Sequence, residues 1–112
     1  MRRFYGGKVE IRLCSAFIKR WNERFPGVPI PDAEQLGVLF EQATYRETNA
    51  EGRTAFALDP RDLGVEHIAN HPILVPTSAD REDDTAYRKA ITVFASRKLD
   101  FSVVFPSDDE DH

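Results

Sequence analysis

The stretch KVEIRLCSAFIKRWNERF, residues 8–25, changes its hydrophobic period halfway, and this change points to the fold class. In its first part apolar and polar residues alternate, so Val9, Ile11 and Leu13 lie on one face of a predicted β-strand. In its second part the apolar residues recur at helical spacing, which predicts an amphipathic helix over residues 15–25. A strand followed directly by a helix indicates a domain that mixes both types of element.

Turn signals flank this unit on both sides. Gly6-Gly7 predicts a tight turn, because glycine adopts positive φ at no steric cost, and residues 2–5 are then expected to pair back as an N-terminal hairpin. On the other side, the prolines within residues 26–31 end the first helix, since proline lacks a backbone donor and favours extended backbone in the preceding residue.

Periodicity and capping residues predict the remaining elements. The other helices are predicted at about 32–46, 60–70 and 84–98. The other strands are predicted at about 54–58, 73–75 and 101–105. Residues 77–84 carry four acidic side chains and are predicted to form a polar loop between the second of these strands and the last helix.

The mixture lacks the regular spacing of βαβ units, so it predicts an α+β fold with a small antiparallel sheet packed by three to four helices. We expect one globular domain over residues 1–106 and a mobile acidic tail over residues 107–112. The core is predicted to contain Val9, Ile11, Leu13, Phe17, Trp21, Leu36, Phe40, Phe56, Ile91, Phe94 and Val103.

The composition places the chain among ordinary globular proteins. Of its 112 residues, 41% are hydrophobic and 30% charged, and no apolar run approaches the roughly 20 residues needed to cross a bilayer. Its single cysteine, Cys14, forms no intramolecular disulfide and is expected to pack as a small buried hydrophobe. We therefore expect a cytoplasmic protein without membrane association.

Charge is distributed unevenly along the chain. Residues 1–24 carry seven basic and two acidic side chains, whereas the rest carries eight basic and 17 acidic ones, within a net charge of −4. With no catalytic constellation in the sequence, this polarity and the small size fit a protein-binding or regulatory module of the inhibitor, antitoxin, immunity or phage accessory type. The predicted partner-binding residues are Arg2, Arg3, Lys8, Arg12, Asp80, Glu82, Asp83 and Asp84. The alternative is that the basic and acidic segments neutralise one another in the fold.

Nucleic-acid binding and metal-dependent catalysis are the two alternatives to protein binding. The basic N-terminal hairpin and helix could contact nucleic acid, although the sequence pI near 5.3 is low for such a protein. His67 and His71 stand four residues apart on the predicted helix, a spacing used by metal-binding helices, but the general-base Glu that follows the first His in zinc proteases is replaced by Ile68.

The sequence contains no phosphate-binding glycine loop, no nucleophile elbow and no diagnostic pair of carboxylates. We therefore expect a binding protein rather than an enzyme, with no cofactor and no metal. Another protein is the expected partner, and the sequence leaves a homodimer open, because a helix that packs a core has the same pattern as one that packs a second copy.

Overall fold

The computed structural model describes residues 9–65 and 71–105. The strands are β1 Glu10–Leu13, β2 Arg46–Thr48, β3 Thr54–Leu58, β4 Ile73–Glu82, β5 Thr85–Ala90 and β6 Phe94–Ala95. The helices are α1 Ser15–Arg24, α2 Ala33–Gln42 and α3 Phe101–Val104, with a 3-10 helix at Pro60–Leu63. This mixture confirms the predicted α+β class.

The strands form one sheet in the order β1-β5-β4-β3-β2, and β6 pairs with the start of β4. All neighbours are antiparallel except β1 and β5, which are parallel. The sheet is therefore mixed, and the prediction of an antiparallel sheet was wrong at this pair. Alternation identifies a strand but carries no information about its partner, and the predicted hairpin of β1 with residues 2–5 lies outside the described residues.

Local sequence explains where the two longer helices begin and end. The Asp32 side chain accepts a hydrogen bond from the Gln35 N–H at 2.8 Å and so caps the start of α2. The helix ends at Gln42, earlier than the predicted range 32–46, because Ala43 is extended and Arg46 already belongs to β2. The first helix agrees with its prediction, and Trp21 ties its inner face to the following turn by donating to the Val28 carbonyl at 2.8 Å.

The two faces of the sheet have different coverings. The helix face carries Phe56, Val75 and Ala90, which pack against α1 and α2. The opposite face carries Ala57 and Leu74, which pack against α3 through a smaller cluster. Five residues of the predicted core are confirmed as buried: Phe17, Trp21, Leu36, Phe40 and Phe56.

The other members of the predicted core are less buried. Ile11 and Leu13 only pack against the edge of the core, and Phe94 belongs to the smaller cluster. The prediction that Val9 and Val103 belong to the core is wrong, since the two residues are 50% and 73% exposed. Val9 precedes β1, and Val103 lies on the outer side of α3, so no element of the described residues packs over either of them.

The predicted helix 84–98 is wrong, because residues 85–90 form β5 and residues 94–95 form β6. The apolar residues of this segment fit helical spacing, but pairing with β4 overrides local preference. The predicted polar loop 77–84 is wrong for the same reason: β4 runs ten residues to Glu82, and only Asp83 and Asp84 remain as a turn.

Two shorter predictions also need correction. The strand predicted at 101–105 is the helix α3, which Asp100 caps by accepting the Ser102 N–H at 2.9 Å. The first part of the helix predicted at 60–70 is a 3-10 helix that stops at Gly64, whose φ of +77° is left-handed and readily adopted only by glycine, and residues 66–70 lie outside the described residues. The strand predicted at 54–58 is confirmed, and no helix in the described ranges is long and apolar enough to cross a bilayer.

Trp21 is the residue whose loss we expect to be most costly in the helix–sheet core, since it is fully buried and hydrogen-bonded. Trp21→Phe leaves a void and an unpaired Val28 carbonyl, so we expect it to lower the free energy of unfolding by about 2 kcal/mol. Ile18→Ala, on the same helix at a side chain 37% exposed, should cost about 1 kcal/mol or less. Urea denaturation followed by circular dichroism measures both, and equal losses would contradict the assignment of Trp21 to the centre of the core.

Candidate anion-binding site

Strand alternation sorts the charged side chains of the sheet by face. The charged strand residues on the helix face are Arg46, Arg81 and Arg88. Those on the opposite face are Glu10, Arg12, Glu47, Asp80, Glu82 and Lys89. Among the strand positions that the structure describes, the helix face is thus purely basic, and all the acidic residues lie on the opposite face.

On the opposite face the charges pair with one another around Arg12. Its Nη1 lies 2.8 Å from Glu82 Oε1, its Nη2 lies 3.3 Å from Glu10 Oε1, and its guanidinium carbon lies 4.0 Å from the centre of the Tyr87 ring. Hydrogen bonds to Glu10 and to Glu82 raise the pKa of Arg12. Arg12 and Glu82, assigned from the sequence to two separate charged regions, are therefore bound to each other in an ion pair.

The remaining predicted site residues are dispersed. Asp80 is exposed on the opposite face, and Asp83 and Asp84 form the turn between β4 and β5, where Asp83 has a left-handed φ of 50° that aspartate tolerates. His71 precedes β4 and does not lie in a helix. The metal hypothesis required His67 and His71 to share one helix, and His71 does not meet this requirement. Arg2, Arg3, Lys8 and His67 lie outside the described residues.

No group of three or more His, Cys, Asp or Glu side chains in residues 9–65 and 71–105 is arranged to hold a metal ion. Cys14 is half-buried against the edge of the core, where its N–H donates to the Ala90 carbonyl at 3.1 Å. The sequence-derived candidates therefore do not assemble into one site among the described residues.

A different pair of residues does assemble, on the helix face beyond the end of α2. The guanidinium carbons of Arg46 and Arg88 lie 4.9 Å and 5.2 Å from the centre of the same ring, that of Phe56. This ring is only 3% exposed and stacks on Phe40 with the ring centres 4.4 Å apart. Two positive charges thus share one buried aromatic support, an arrangement we call the arginine pair.

Hydrogen bonds hold both members of the arginine pair in place. Arg88 reaches from β5 across β4, where its Nη1 donates to Thr77 Oγ1 at 2.8 Å. Thr77 is fully buried and gives its own hydroxyl proton to the Thr54 carbonyl at 2.7 Å, so its lone pairs face the guanidinium. The Nη2 of Arg46 donates to the carbonyl of Phe40 in α2 at 3.2 Å and to that of Ala43, the residue after the helix, at 3.3 Å.

The charge of this pair is not compensated within the described part of the chain. Arg12, Arg20, Arg53 and Arg61 each lie within 4.0 Å of a carboxylate, whereas neither Arg46 nor Arg88 has a carboxylate within that distance in residues 9–65 and 71–105. Burial lowers the pKa of Arg88, and the positive charge of Arg46 lowers it further. Two guanidiniums on one aromatic ring, both with unused N–H donors, are suited in charge and chemistry to an oxyanion.

Sequence reasoning missed this pair because both residues stood in segments predicted as helix that are strands in the structure. Arg46 was the last residue of the range 32–46 and Arg88 was interior to the range 84–98, so neither was placed on a sheet. Residues 85–90 do contain a signal for a strand. Ala86 and Ala90 lie two residues before and after Arg88, so in a strand these small residues share a face with Arg88.

Thr77 links the arginine pair to the core, and we expect its hydroxyl to matter more than its volume. Thr77→Val removes the hydrogen bonds to the Thr54 carbonyl and to Arg88, and should lower the free energy of unfolding by about 1–2 kcal/mol. The control is Ser78→Ala, next in the strand but on the opposite face, with an expected change within about 0.5 kcal/mol. Urea denaturation compares them, and a Thr77→Val protein as stable as the parent would refute this role of the hydroxyl.

Comparison of the chain with protein-family models, with curated proteins and with solved structures finds no match.

Proposed function

We propose that the protein is a binding module that docks an acidic segment of a partner protein on its helix face. The observation that carries this proposal is the sorting of charge by face, which leaves Arg46, Arg81 and Arg88 on one side of the described sheet with no acidic strand residue among them. The proposal keeps the protein-binding class expected from the sequence but moves the contact residues to the opposite side of the sheet from Arg12 and Asp80.

Among the described residues, the part of the helix face next to these arginines carries small side chains. Beyond the cover of α1 and α2, the neighbouring strand positions carry small or hydroxyl side chains: Thr48, Thr54, Ala79 and Ala86. Ala79 is exposed and Ala86 half-buried, and Arg81 stands exposed directly opposite Ala86. An extended acidic segment that crosses these small side chains can reach both Arg81 and the arginine pair.

Arginine is suited to this contact because its planar fork makes two parallel hydrogen bonds to one carboxylate. The hydrogen bonds that the structure gives Arg88 use one of its five N–H donors, and those of Arg46 use one nitrogen. The remaining donors are held close to a fixed position by the Phe56 ring, so binding costs little side-chain entropy.

A protein segment is favoured over nucleic acid by the charge of the rest of the molecule. The net charge of −4 and the exposed acids Asp80, Glu82, Asp83 and Asp84 at the β4–β5 end repel a long polyanion. A short acidic segment passes fewer of these acids than a long polyanion does and therefore meets less of that repulsion.

The test is the binding of a fluorescein-labelled, glutamate-rich peptide of 12 residues, followed by fluorescence anisotropy, and we expect an affinity that falls as salt is raised. Arg81→Gln and Arg88→Gln should each weaken binding by about five-fold or more, because each removes a cation from the helix face. The matched control is Lys89→Gln, which removes the same charge from the residue after Arg88 but on the opposite face, and it should leave the affinity within about two-fold.

Three results would contradict the proposal. The first is the absence of peptide binding at low salt, and the second is an equal loss of affinity in the Lys89→Gln protein. The third is tighter binding of a labelled oligothymidylate of the same charge, which would favour a nucleic-acid partner instead.

A further inference from the structure

We propose that the arginine pair seats a phosphorylated side chain, a phosphoserine or phosphothreonine within the acidic segment that the partner presents. This inference rests on the proposed function and specifies the group that the pair selects. Its basis is the placement of two uncompensated guanidiniums, those of Arg46 and Arg88, over one buried ring.

Charge matching favours a phosphate monoester over a carboxylate. The pair carries two positive charges with no carboxylate within 4.0 Å in the part of the chain that the structure describes. A Glu or Asp side chain supplies one negative charge and two acceptor atoms, so it neutralises one guanidinium and leaves the other unpaired. A phosphomonoester carries about −1.5 to −2 charge at pH 7 and three acceptor oxygens, which is enough for both arginines.

The directions of the two side chains fit a ligand that touches both. Arg88 comes from β5 and Arg46 from β2, and the two converge on the Phe56 ring from different strands. Thr77 fixes Arg88, and the end of α2 fixes Arg46, so their separation is set before a ligand arrives. A tetrahedral phosphate can direct different oxygens toward donors that come from two sides, whereas the two oxygens of a carboxylate lie in one plane.

The buried ring strengthens the interaction. Phe56 is apolar, 3% exposed and stacked on Phe40, so it excludes water from beneath the guanidiniums. Hydrogen bonds between charged groups gain strength when the local dielectric constant is low. Arg81 is exposed, as Arg46 is, but it has no aromatic ring beneath it among the described residues, so it contributes general attraction without selecting phosphate.

Three labelled peptides separate the two proposals. All have the same glutamate-rich flanks, and their central residue is serine, glutamate or phosphoserine. We expect the wild-type protein to bind the phosphoserine peptide about ten-fold more tightly than the serine peptide and about five-fold more tightly than the glutamate peptide. In Arg88→Gln, which removes one guanidinium of the pair, the preference for phosphoserine should disappear. Arg81→Gln should weaken all three peptides by a similar factor and keep the preference, and Lys89→Gln should change neither.

The outcomes are distinct. If the three peptides bind with equal affinity, the arginine pair does not select phosphate, and only this inference is overturned. If the preference survives in Arg88→Gln, the phosphate binds elsewhere, and the inference is again overturned. If the serine peptide does not bind at all at low salt, the proposed function fails. Thermal melting of each variant in the same buffer shows whether it is folded, and Arg46→Lys gives a second variant that keeps the charge but loses the fork and should reduce the preference in part.

Discussion

The pairing of β4 with its neighbours is the constraint on which the rest of the structure depends. This strand has ten residues. It pairs with β3 along one edge, and with β6 and then β5 along the other edge. Because side chains alternate between faces, a slip of one residue between β4 and β5 would exchange Arg88 with Lys89 and expose Ala90. The buried row of Ile73, Val75 and Thr77 opposes such a slip, since it would move these side chains out of the core.

Thr77 is the residue at which the core and the candidate site meet. It is the last buried position of that row, and its hydroxyl satisfies the Thr54 carbonyl while it holds Arg88 over the Phe56 ring. The partial burial of Arg88 next to another cation is unfavourable without a ligand, as the lowered pKa of Arg88 indicates. Such groups are concentrated at binding and catalytic sites. A bound anion there offsets the free-energy cost of partly burying the positive charge.

Local signals were sufficient where neighbouring residues decide the structure. The period change in residues 8–25 correctly separated β1 from α1, the cap at Asp32 correctly began α2, and the range 54–58 matched β3. They were insufficient for residues 84–98 and 101–105, where strand and helix were interchanged. A segment of this length with apolar residues at mixed spacing fits both periods, and the choice is made by the strand or cluster on which it packs.

The sequence by itself determined the α+β class, the centre of the core around Phe17, Trp21 and Phe56, the extent of the first helix and the start of the second, because these follow from hydrophobic period and capping. Only the tertiary structure decided which charges meet. It paired Arg12 with Glu82, residues that belong to oppositely charged parts of the chain, and it brought Arg46 and Arg88 onto one ring. Contacts between residues far apart in the chain depend on strand order and register, and a pattern of neighbouring residues contains neither.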